Sequence, residues 1–240
     1  MKRIICLAVV TGVMAMGAQA FGGWGLPSLP VIGGIGGDSG AKVDVGALTA
    51  RECVLKARVN KATVSLANGL VSVQKACGKA TDAAKLEAAL AEVQKDPNDI
   101  EKTKDLCAKV NNASDAMKAV DLNAAMNKDE ARKHLGESLL HLGAGTLLEA
   151  QASTDAAGLV KDITSSVKTV QSSPMTYGLS AAKNLLSGLS TAKFVAETVP
   201  SQLSSIGELT SGLVKYAQTN KIEIPSLSKQ KDLAAQMGKE

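Results

Sequence analysis

Apolar residues return at alternating steps of three and four along most of this chain, the signature of helices that each bury one stripe. Leu48, Leu55, Val59, Ala62, Leu66, Gly69, Val73 and Ala76 lie on one such stripe, and Glu52 is its single charge. The pattern predicts a helix over 45–76, closed by Cys77-Gly78 with the glycine as C-terminal cap. A second helix opens at Thr81 and carries Leu86, Leu90 and Val93 on one face. Asp96-Pro97 reads as a cap followed by proline at the first helical position, so a third helix is expected to start there and to bury Ile100, Leu106, Cys107, Val110 and Met117.

Two longer stripes follow. Asn127 and Glu130 have capping-box spacing and predict a fourth helix from 128 to 171. Its stripe runs Leu135, Leu139, Leu142, crosses the polar Thr146, Glu149 and Ser153, and resumes at Ala156, Val160, Ile163, Val167 and Val170. Ser173-Pro174 is read as the start of a fifth helix, 174–219, whose stripe is Ala182, Leu185, Leu189, Ala192, Ala196, Val199, Leu203, Ile206, Thr210, Leu213 and Ala217. That is coiled-coil periodicity, and Pro200 inside it is expected to kink the helix. "KIEIPSL" at 221–227 reads as extended, and a short terminal helix with Leu233 and Met237 completes the chain. No second copy appears at a 34-residue period, which sets aside a repeat solenoid. The predicted fold class is therefore all-α. It is an elongated helical bundle spanning 44–220, with a long antiparallel, coiled-coil-like hairpin of 128–171 against 174–219 and a terminal segment 221–240.

The first 43 residues break the pattern. Residues 1–20 combine Lys2 and Arg3, an apolar run and the ending Ala18-Gln19-Ala20, which predicts a secretory signal peptide of bacterial type cleaved after Ala20. Residues 21–43, beginning "FGGWGLPSLPVIGGIGG", carry too much Gly and Pro for a helix and read as a flexible apolar leader. Flexibility alone would need only glycine, serine and charge. Phe21, Trp24, Leu26, Leu29, Val31 and Ile32 are thus candidates for docking on a membrane interface or a partner.

Composition narrows the chemistry. Aromatic residues make up 2% of the 240, so the interior must be filled by Ala, Leu and Val, which suits close helix packing. Losing Lys2 and Arg3 from the 27 basic residues leaves 25 against 23 acidic, a net +2 that gives no reason to expect nucleic acid as a partner. Of the three cysteines beyond the signal segment, Cys53 and Cys77 would stand about 36 Å apart on one helix by its rise per residue. Cys77 with Cys107 is then the expected disulfide.

His134, Glu137 and His141 share a helix face, but seven residues separate the histidines, about 10 Å along the axis, so no metal site is expected of them. No nucleophile motif, phosphate loop or cofactor fingerprint is present, and no enzyme is predicted. The expected function is that of an exported structural or protein-interaction component of the bacterial envelope, in the periplasm or at the surface, associating with itself or a protein partner through helical faces. The competing expectation is a membrane-active or lipid-binding helical protein, on the analogy of apolipoproteins or helical pore-formers, engaging a bilayer through the leader.

Overall fold

Eight helices carry the described residues, 42–126 and 128–239 of this computed structural model, and no strand occurs among them. In chain order they are α1 (Val45–Ala76), α2 (Ala80–Lys95), α3 (Ile100–Lys118), α4 (Leu122–Ala125), α5 (Lys128–Ser172), α6 (Pro174–Tyr177), α7 (Leu179–Thr219) and α8 (Leu227–Lys239). The described residues belong to one compact unit. The signal-like segment and the leader residues Phe21, Trp24, Leu26, Leu29, Val31 and Ile32 lie outside the described residues, as does Asn127 of the expected capping box.

Local chemistry sets most helix ends. The Asp44 side chain accepts from the Ala47 amide at 2.9 Å and caps α1. At the other end Gly78 takes φ +69°, while the Gly78 and Lys79 amides donate to the Lys75 and Gln74 carbonyls. This double bond to the last free carbonyls is what a left-handed glycine permits.

One predicted start moves and one predicted helix is divided. Pro97 does not open α3: the Asp99 amide donates to Asp96 O across a turn in which Pro97 takes the second position, and Asp99 becomes the cap, accepting from Glu101 and Lys102. Pro174 does open a helix, yet after one turn Gly178 at φ +78°, ψ 154° leaves helical space and α7 restarts at Leu179. The predicted fifth helix is thus α6 plus α7. α5, by contrast, runs unbroken past Gly143, Gly145 and Gly158, and α7 runs past Pro200.

Side-chain contacts fix the register between helices. From Arg51–Asp162 to Ser65–His141 the sequence separation falls from 111 to 76, so α1 and α5 are antiparallel. Asn60–Thr103 and Thr63–Cys107 keep separations of 43 and 44, so α1 and α3 run parallel. Asp115–Ser205 and Lys118–Glu208 both span 90, so α3 and α7 are parallel too. α5 packs most extensively on α1, then on α7, while α3 closes the opposite side by touching both α1 and α7.

All eight residues of the α1 stripe are buried, as is Glu52. On α7 the buried face is wider than the predicted stripe. Leu185, Ala192, Val199, Ile206 and Leu213 are buried, whereas Ala182, Leu189, Ala196, Leu203 and Thr210 are only half-buried. Gly188, Val195, Gln202 and Leu209, off the stripe, are buried instead. A helix touched by α1, α3 and α5 must cover three neighbours, which needs more than a two-helix seam.

Glycine allows the closest approaches. A Cβ on Gly145 would stand 2.7 Å from Leu66 Cδ2 and 3.0 Å from the Ala62 carbonyl oxygen, and one on Gly69 would stand 2.7 Å from Leu142 Cγ. The α1–α5 contact is therefore tighter than any side chain at those positions would permit. α8 lies along α5, where Ala234, Leu233 and Met237 cover Ala62, Ala144 and Leu148. No helix among the described residues is long and apolar enough to cross a membrane.

Candidate functional site

Polar groups are concentrated where α1, α3, α5 and α7 meet, in an interior that aliphatic side chains otherwise fill. Toward the N-terminal end of α1, Glu52 is 5% exposed and accepts from the Thr191 hydroxyl at 3.1 Å and from Lys56 at 2.7 Å. Further along, the Asn60 amide donates to Thr103 Oγ1 at 3.0 Å, and Thr63 Oγ1 lies 3.1 Å from Cys107 Sγ. Near the far end Ser205 Oγ lies 3.0 Å from Ser114 Oγ and donates to Asp115 Oδ1 at 2.8 Å. Each pair ties two helices at one height, which fixes register in a way that interchangeable aliphatic contacts do not.

Several members of this interior differ: Ser138 Oγ and Gln74 Oε1 are buried without a partner, and two larger groups go further. Glu149 on α5 and Gln202 on α7 are both fully buried, and neither carboxyl oxygen nor either amide atom has a hydrogen-bond partner. Burial alone pushes the Glu149 carboxyl well above its ordinary value. The Cys107 thiol is pushed up to about 12, chiefly by burial and in small part by the Glu149 charge, which places that carboxyl within electrostatic range of α3.

The positions singled out in the sequence fall elsewhere. Cys77 and Cys107 are free thiols, which corrects the expected disulfide. Cys77 closes α1, whereas Cys107 sits opposite Thr63, fourteen residues and about 21 Å back along that helix, far beyond bridging distance. Cys53, the third free thiol, is exposed. His141 is half-buried, with Nδ1 3.4 Å from Ser65 Oγ, and the same hydroxyl donates to the His141 carbonyl at 2.9 Å. Desolvation lowers the His141 pKa against the opposing pull of Glu137. Glu149 was visible in the sequence as a charge on an apolar stripe. Gln202 was not, because it lies beside the stripe that periodicity selects.

The surface near the α4 end has one shallow cleft of about 250 Å³, with Met117, Leu122 and Gly212 in its wall and the Lys118–Glu208 ion pair at its rim. No protein-family model, curated protein or solved structure matches this chain.

Proposed function

We propose that this chain is an exported, non-enzymatic helical scaffold of the bacterial envelope, built to present long helical faces to a protein partner or to a second copy of itself. The observation that carries this reading is the use made of polar groups between helices. Arg51–Asp162, Arg58–Asp155, Glu52–Thr191 and Lys118–Glu208 each hold one long helix in register with another. The groups whose protonation is most displaced, Glu149 and Cys107, are 0% and 1% exposed, out of reach of a substrate. They serve the packing of the bundle.

α5 and α7, joined through α6, would then be the coiled-coil-like antiparallel hairpin whose outer faces meet the partner, and residues 1–20 would supply the export signal. The Lys183, Ser190 and Glu197 positions on the outer face of α7 are exposed and suit photo-crosslinkers. Crosslinks from these positions to protein in the exported fraction, with an N-terminus at Phe21 and no co-sedimentation with phospholipid vesicles, would support the scaffold. Vesicle binding that disappears on deletion of residues 21–43, without protein crosslinks, would replace this reading by the membrane-active one.

A further inference from the structure

The α5–α7 hairpin has neighbours along one edge and none along the other. On α5, Asp155 and Asp162 pair with Arg58 and Arg51 of α1. Ser153 and Val160 stand two positions before them, about 200° round the helix, and so lie on the side away from α1. On α7, Thr191 meets Glu52 of α1, and Ser205 meets Ser114 of α3. Leu189 and Leu203, again two positions earlier, lie on the side away from both.

Val160, Val167, Leu189, Ala196 and Leu203 pack inward on the core and stay half-buried. Among the described residues no helix covers their outer side. α2 packs on α1 and α3, α8 meets α5 at Gly143 before this stretch begins, and α4 meets α7 at Gly212 after it ends. Leu186, 47% exposed, stands one turn before Leu189 and extends the apolar face to the surface.

Charge and symmetry identify the occupant. Lys193 and Glu197 lie at the α7 edge of this face, one turn apart and exposed, and neither has an ion-pair partner among the described residues. Positions 193 and 197 exchange about 195, so two antiparallel copies related by a two-fold axis at the height of Val195 set each lysine against the other copy's glutamate. Gly188 and Ile163 fix the antiparallel register of α7 and α5, which puts the exposed Ala157 at that same height on α5. The axis therefore falls where a small side chain lets two helices approach. From Ala182 to Leu203 the face runs about 32 Å, and two packed helices make it about 20 Å wide. That is the order of area a stable dimer buries, about 800 Å² per partner.

We propose that the outer face of the α5–α7 hairpin is a homodimer interface, in which two copies pack antiparallel about an axis near Val195 and Ala157 and pair Lys193 of each with Glu197 of the other. The inference rests on the scaffold reading for the choice of surface and narrows its partner to a second copy of this chain.

The test is sedimentation equilibrium of the full chain at micromolar concentration, which should give twice the chain mass. Leu186→Glu should leave the helix content unchanged and return the protein to the monomer. Lys193→Glu alone or Glu197→Lys alone should weaken association by about tenfold, and the two together should restore it, because the exchanged charges again meet their opposites. A double variant as weak as the singles would overturn the two-fold pairing. A wild-type chain that stays monomeric would overturn the proposal outright, whether residues 21–43 or a different protein then cover the face.

A covalent readout keeps the question open to measurement if association is weakened by the variants for other reasons. In a Cys53→Ser background, Ala157→Cys should oxidise to a disulfide-linked dimer, since the axis brings each copy of the position beside its own mate. Ser165→Cys, exposed on the opposite side of α5, should not. A dimer by mass that links at 165 and not at 157 would move the interface elsewhere and refute this one. Crosslinks from Ser190 to a different protein by a monomeric chain would overturn the dimer and leave the scaffold reading standing, whereas a dimer that binds vesicles through residues 21–43 would do the reverse.

Discussion

At the residue scale, the most consequential positions are those where size or protonation is fixed by a neighbour. Gly145→Ala drives a methyl against Leu66 and the Ala62 carbonyl. It should destabilise the protein by about 1–3 kcal/mol in chemical denaturation, the ordinary cost of overpacking. Gly158→Ala meets nothing nearer than Arg51 Nη2 at 3.6 Å and should stabilise α5 by up to about 1 kcal/mol through helix propensity. The same residue type in one helix thus gives opposite signs, a contrast that a purely propensity-driven helix would not show. Thiol chemistry follows burial in the same way. With Cys107 pushed up to about 12 and the buried Cys77 also raised by desolvation, Cys53 should be the only fast-reacting thiol among the described residues at pH 8. Cys77 and Cys107 should label at the unfolding rate, and fast labelling of Cys107 itself would contradict its packing. The raised Cys107 value also makes stability decline as pH climbs from about 9 toward 12, since the unfolded thiol ionises first.

At the scale of the element, Pro200 offers the clearest test. It is exposed and lies within α7, so Pro200→Ala returns an amide to the Ala196 carbonyl without disturbing the core. A rise of about 1–3 kcal/mol in stability is expected, and a loss would mean that the helix needs the proline where it is. The helices themselves were legible in the sequence because a period of three and four survives any choice of partner: α1 appears with the bounds that its stripe predicts. One start was misplaced, because a cap followed by proline has the same local sequence whether the proline opens a helix or takes a turn, and one helix was drawn too long. At Asp96-Pro97 the competing cap Asp99 prevailed, and at Pro174 the left-handed Gly178 cut the helix to one turn. The face of α7 was misjudged for a different reason. Periodicity finds the direction of burial but not the number of neighbours, so Gln202 and Val195 went unnoticed beside a stripe that was itself only half-buried at alternate positions. The unpaired Glu149 was readable as a charge on an apolar stripe, while the unpaired Gln202 was not.

At the scale of the whole molecule, α8 and the hydrophobic cluster beneath it form a separable layer. Removing residues 227–240 uncovers Ala62, Ala144 and Leu148. The truncated protein should keep its helix content by circular dichroism yet lose about 2–4 kcal/mol of stability and gain affinity for an apolar dye. The bond between Glu52 and Thr191 has a different reach, because 139 residues separate its ends. During synthesis, α1, in which Lys56 already pairs with Glu52, is complete long before the helix that supplies the Thr191 hydroxyl exists. Loop closure of that length is a slow, late event, and the stripes of α1 and α5 remain open to wrong partners until it occurs. A fragment ending at Ser172 should therefore show no cooperative unfolding transition, and the full chain should refold only after α7 is present.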